Sequence, residues 1–302
     1  MKAGVLAIAY IKHSAVKDNI RRRKKNPPYG KFEEKINVPY INDNDIHHQF
    51  DVIYAPKEIR KNCCIIDIHG GSYIFGEHQD NYHFACKFVE KGFDCITIDY
   101  RLNNGKIDTK DQVDDCALCL NYIFSHLKEL NLENDCFAIM GDSAGGHLAF
   151  ILAQAILNKD VADKLGYTFP KIKLVATLLN CPVYDFENIA KGTLTKGGAR
   201  RLFGPNHANL DKMRLISPRT YIDSFKGPLF LSSCKKDFIG YHSQLLNKDM
   251  KKKDNMYHFE YLDTDEKFVG HVHNVIHIDH YLGIQVNNRM MSFIEEAMKE
   301  NQ

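Results

Sequence analysis

The chain has 302 residues, 44% hydrophobic and 26% charged, enough to bury a large core in one α/β domain. Its 40 Lys and Arg against 38 Asp and Glu leave a net charge of +2, a balance that excludes a dedicated nucleic-acid surface. No apolar run reaches the length of a membrane span, and the nine cysteines lie mostly in apolar segments, as small buried hydrophobes do and a disulfide framework does not.

In chain order, residues 1–30 read as a helix that ends in Arg21-Arg22-Arg23-Lys24-Lys25 and breaks at Pro27-Pro28. The basic run is expected to be a solvated helix end. Lys2 and the apolar residues after it have the outline of a short signal peptide, but no A-x-A cleavage site follows. Free thiols suit a reducing compartment, so the expected location is cytoplasmic. Strands are predicted at 34–41, 49–54 and 63–68, a helix at 82–91, a strand at 94–99 and an amphipathic helix at 110–130. The strand from Cys136 to Met140 and the strand at 174–179 flank an apolar helix. Residues 183–215 lose periodicity and carry Gly192, Gly197, Gly198 and Gly204-Pro205, and read as an insertion over the sheet. Strand, helix, strand and helix then follow at 228–234, 241–252, 256–262 and 282–299. Strands alternating with helices specify an α/β fold with a mostly parallel central sheet and helices on both faces. Sites in such sheets collect at the carboxyl ends of strands.

At one strand end stands Gly141-Asp142-Ser143-Ala144-Gly145, a G-x-S-x-G match with a buried strand before it and a helix after it. Small neighbours let strand and helix pack around a serine on so tight a turn, and the helix mouth presents N–H groups to developing negative charge. A serine hydroxyl needs a base, and the base needs a carboxylate to orient it. After Ser143 the best-placed carboxylate is Asp237, directly beyond the 228–234 strand, with Asp263 and Asp265 as rivals and a helix N-cap as its structural alternative. His271 and His273 both qualify as base, and together with His277 and His280 they also suggest a metal site. Oxyanion donors are expected from Ala144 and from the glycine-bearing loop His69-Gly70-Gly71-Ser72.

These motifs, with Asp99-Tyr100-Arg101-Leu102, Ile216-Ser217-Pro218 and Gly270-His271, make residues 60–275 resemble the hormone-sensitive-lipase-like esterases of the α/β-hydrolase superfamily. The resemblance implies a single α/β-hydrolase domain over 1–302, with a small helical cap drawn from about 1–40 and 183–215. It implies a serine carboxylesterase that acts on short-chain, acetyl-type esters of small molecules, without metal or cofactor. Carried over to this chain, it makes Ser143 the nucleophile, Asp237 the acid and His271 the base, with the N–H groups of Gly71, Ser72 and Ala144 as the oxyanion hole. Ser72 stands where the family has a third glycine. An amide hydrolase of the arylformamidase or peptidase kind and a non-catalytic ligand-binding homologue are the alternatives. The oligomeric state is left open.

Overall fold

The computed structural model describes residues 30–134, 136–189, 203–206 and 208–300. The predicted N-terminal helix, its basic run and residues 190–202 of the insertion lie outside them. Among the described residues, eight strands form one sheet: β1 (Glu33–Pro39), β2 (Gln49–Tyr54), β3 (Cys63–Ile68), β4 (Asp94–Ile98), β5 (Cys136–Asp142), β6 (Lys173–Asn180), β7 (Leu229–Cys234) and β8 (Tyr257–Leu262). Their spatial order is β1-β2-β4-β3-β5-β6-β7-β8. Only β2 runs against its neighbours β1 and β4; from β4 to β8 every pairing is parallel.

The period-2 pleat sends alternate side chains of one strand into two separate cores. In β3, Cys64, Ile66 and Ile68 join one cluster while Cys63 and Ile65 join the other; in β5, Phe137 and Ile139 oppose Cys136, Ala138 and Met140. Both faces are covered, which is why these strands read as continuous apolar runs. The first face packs against α2 (Thr109–Ser125) and α3 (Ala144–Leu157), the second against α1 (Tyr82–Val89) and α9 (Tyr281–Glu300). The shorter helices are α4 (Lys159–Leu165), α5 (Phe186–Ile189), α6 (Leu210–Leu215), α7 (Gly240–Met250) and α8 (His273–Ile276).

Helix α2 stops at Ser125, earlier than its apolar pattern suggests, because Leu130 and Leu132 reach the core from turns instead. Helix α4 was not foreseen. Asn158 ends α3 and caps α4 by accepting the Asp160 N–H at 2.9 Å, and Gly166 closes α4 in the left-handed conformation. Within the insertion, Phe186, Phe203 and Met213 are buried in the first core, as is Ile216 just after it. Phe186 and Phe203 both contact Tyr73, in the loop beyond β3.

Where α3 leaves β5, its first turn lies against the end of β3. A Cβ on Gly145 would sit 2.0 Å from the Ile68 carbonyl oxygen and 2.4 Å from that of His69. Backbone on one side and helix on the other leave nothing to yield cheaply. Gly145→Ala is expected to destabilise the fold by about 3 kcal/mol, the upper range for overpacking, read as a lower urea midpoint. An unchanged midpoint would mean that strand and helix are not locked at this contact.

Candidate active site

Ser143 sits between β5 and α3 with φ 54° and ψ −114°, an angle pair that most non-glycine residues avoid. Its N–H donates to the Asn180 carbonyl at the end of β6 (2.8 Å), and its own carbonyl accepts from His147 and Val183. The turn is thus held from both sides, and Ser143 is presented at the amino end of α3.

Asp237 follows β7 and His271 precedes α8. His271 Nδ1–H donates to Asp237 Oδ1 at 2.7 Å. Oδ1 also accepts the Ile239 N–H (3.0 Å), and Oδ2 accepts the Ser233 hydroxyl (3.1 Å). Burial raises the carboxyl pKa, but the His271 hydrogen bond and charge outweigh it, so Asp237 titrates below the usual carboxylate range. In the neutral ring a donating Nδ1 leaves the lone pair on Nε2, and that atom is buried and has no hydrogen-bond partner among the described residues. The exposed ring of Phe238 packs on the imidazole, with centroids 4.4 Å apart.

The rivals go elsewhere. Asp263 and Asp265 are exposed and pair with Lys235. His273 Nε2 lies 3.0 Å from His280 Nδ1, and burial, with the charges of His277 and His280, lowers its pKa to about 4. His271 therefore separates from His273, and the histidine-rich metal set does not come together as one cluster. Among the described residues, metal-type donors gather at Cys181, Asp237 and His271, within 4.8 Å of one another, and these are already engaged with one another and with the adjoining loops. The helix-cap alternative for Asp237 is half met: its side chain does accept the Ile239 N–H, although the N-cap of α7 is Ile239 itself.

The loop beyond β3 turns tightly: Gly71, Ser72 and Tyr73 have φ of 131°, 50° and 67°. A Cβ on Gly71 would sit 1.8 Å from the Phe75 carbonyl oxygen, so that position needs glycine. No backbone bond takes up the N–H of Gly71, Ser72 or Ala144 among the described residues. Underneath, the loop is tied to the elbow: Gly70 N–H donates to Asp142 Oδ1 at 3.0 Å, and Asn81 Nδ2 bridges Asp142 Oδ1 and Asp67 Oδ2, each at 2.9 Å. Asp99 pairs with His78 Nδ1 (2.6 Å) and His69 Nε2 (3.2 Å), and His78 Nε2 lies 3.2 Å from Asp51. Tyr100 stacks on His69 and donates to its carbonyl, while Arg101 grips Asp115 with two nitrogens.

Sequence reasoning missed several of these supports. His147, in the first turn of α3, accepts the Tyr73 hydroxyl at Nδ1 (3.2 Å) and donates from Nε2 to the Ile216 carbonyl (2.6 Å), joining elbow helix, loop and insertion. Burial holds its pKa down at about 4, so it is neutral and both bonds have a fixed sense. A histidine inside an otherwise apolar helix was the signal that could have found it. Asn81 and Cys181 carried no local signal at all.

An eight-stranded, mostly parallel sheet with Ser143, Asp237 and His271 at its carboxyl edge defines an α/β-hydrolase. More narrowly, the chain belongs to the BD-FAE family, whose model matches residues 50–250. The solved structure of Esterase B from Lactobacillus rhamnosis shares the fold, with TM-score 0.84 and 19% identity over 100% of this chain and 98% of that one. Among curated proteins, the "Probable carboxylic ester hydrolase LipM" of Mycobacterium tuberculosis is 26% identical over 58% of this chain and 41% of its own length. The "Arylesterase" of Saccharolobus solfataricus is 29% identical over 41% of this chain and 40% of its own. The chain thus spans about two fifths of the length of these relatives.

The buried histidine at the loop gives a pH signature. Burial opposes the charge on His78, but hydrogen bonds to Asp51 and Asp99 outweigh it and lift its pKa to about 10. A raised pKa stabilises the fold fully below about 6.5, the unfolded value, and loses that contribution as pH rises through about 10. His78→Gln is expected to cost about 3–5 kcal/mol at pH ~6, the range for breaking a buried pair. The gap to wild type should narrow toward pH ~10 in urea titrations; a pH-independent gap would remove the charge from His78.

Proposed function

We propose that this chain is a serine carboxylesterase that hydrolyses short-chain, acetyl-type esters of small molecules through an acyl-enzyme on Ser143. The observation that carries the reading is the half-buried Asp237–His271 pair, 2.7 Å apart, with Nε2 free of a hydrogen-bond partner among the described residues. The names of the relatives, a carboxylic ester hydrolase and an arylesterase, support the same class.

In this reading His271 Nε2 takes the Ser143 proton as Oγ attacks the ester carbonyl, and Asp237 stabilises the imidazolium that forms. The N–H groups of Gly71, Ser72 and Ala144 receive the oxyanion at the amino end of α3. Ser72 takes the left-handed angle that glycine adopts freely, so its N–H can turn toward the same point as that of Gly71. His271 then returns the proton to the departing alcohol, and a water activated by the same nitrogen releases the acid. Of the insertion at about 183–215, the described residues serve as part of the cap; of the segment at about 1–40, Glu33–Pro39 pairs at the sheet edge.

Hydrolysis of p-nitrophenyl esters from acetate to decanoate tests this. Acetate or butyrate is expected to be preferred, and Ser143→Ala should lower turnover at least about a thousandfold. His271→Ala should be nearly as damaging, and His273→Ala far less. Wild-type turnover in Ser143→Ala sinks the nucleophile assignment, and the reverse order of the histidine variants moves the base to His273. Labelling of Ser143 by a phosphonate without turnover on any ester would point to amide substrates.

A further inference from the structure

Strand β6 contributes no reacting group, yet its end touches all three. Ser143 N–H donates to the Asn180 carbonyl (2.8 Å). Asn180 Oδ1 accepts Asn274 Nδ2 (2.9 Å), from the helix that follows His271, and the Ser232 hydroxyl (2.6 Å), from the strand that leads to Asp237. The next residue, Cys181, is fixed by its N–H to the Ser232 carbonyl (2.9 Å). Its Sγ accepts the N–H of Val272, the neighbour of His271, at 3.3 Å. Sγ, an Asp237 carboxylate oxygen and a His271 ring nitrogen lie within 4.8 Å of one another.

We propose that Cys181 is a positioning residue for the reaction: its thiol accepts the Val272 N–H, gives its own proton to Asp237, and so holds base and acid in register on the end of β6. This rests on the roles given above to Ser143, Asp237 and His271. Two independent features support it. Cys181 and Val272 both have left-handed backbones, with φ of 47° and 48°, and a β-branched residue there is strained unless its surroundings hold it. The Val272 N–H bond to Sγ is such a hold. Burial also pushes the Cys181 thiol well above its ordinary pKa, which keeps the proton on sulfur as a donor to the carboxylate. Sulfur suits the place because it is large and polarisable enough to meet an amide on one side and a carboxylate on the other.

Cys181→Ala and Cys181→Ser separate this role from simple filling. Both side chains are smaller than cysteine by a similar amount, but only serine can still donate and accept. Removing the donor leaves the ionised carboxylate less stabilised, so the acidic limb of kcat/KM, which reports the Asp237–His271 pair, should move to higher pH. For Cys181→Ala the expected result is a kcat loss of about tenfold with KM nearly unchanged, and a limb shifted up by roughly half a pH unit. Cys181→Ser should recover most of both. Equal losses in the two variants with an unmoved limb, or wild-type behaviour in both, overturn the proposal. Should Cys181→Ala be too unstable to assay, Cys181→Ser decides: wild-type turnover and limb uphold the tie, and a loss of turnover with an unmoved limb overturns it. Ser143→Ala is assayed alongside. If it is inert while the Cys181 variants are normal, the positioning role alone has failed; if it is active, the reading beneath it has failed.

Discussion

A carboxylate buried at the end of a strand has to be met by donors, because an unpaired charge in the interior costs several kcal/mol. Four carboxylates stand at the carboxyl ends of the parallel strands: Asp67 in β3, Asp99 after β4, Asp142 in β5 and Asp237 after β7. Each recruits its donors from the neighbouring connections: Asn81 for Asp67 and Asp142, Gly70 for Asp142, His69 and His78 for Asp99, and Ile239 and His271 for Asp237. The demand for donors therefore orders the loops, and the loops carry the candidate site residues. Of the four, only Asp237 binds a histidine whose other nitrogen has neither a hydrogen bond nor an ion-pair contact among the described residues; that of His78, on Asp99, lies 3.2 Å from Asp51.

Backbone strain marks the same edge. Away from the site, the non-glycine residues with left-handed backbones among the described residues are Asn37, Asn44 and Asn131, the type that tolerates the conformation best. At the site they are Ser72, Tyr73, Ser143, Cys181 and Val272, which tolerate it less well. Such residues persist where the surroundings over-determine them, and here the hydrogen bonds of Asn180, Cys181 and Asp142 do so.

Much of this was legible in the chain. The elbow announced itself because small residues and a serine are needed at fixed offsets between a strand and a helix, and the strands showed as apolar runs because both their faces are covered. The choice of Asp237 over Asp263 and Asp265 rested on position after a strand, and in the structure its carboxylate pairs with His271. The supports were not legible. Asn81 lies 61 residues from Asp142, and Cys181 lies 91 from Val272. An asparagine or a cysteine in an ordinary local context says nothing about which carboxylate or amide the fold will bring to it. Helix α2 was overrun for a related reason: leucines that continue the helical period also satisfy the core from a turn, and periodicity does not tell the two apart.

The nine cysteines, all free and all buried, have a consequence outside the native state. Inside the fold, burial pushes thiols such as Cys64, Cys95, Cys116 and Cys119 far above the pH at which they react. Unfolding returns all nine to water at once, with ordinary acidities and no fixed partners. In air, random disulfides then compete with refolding, so the chain's lifetime at high temperature is set by how often it opens and by the reductant around it. The packing that makes these residues inert is in effect their protecting group, and it lasts only as long as the core stays shut.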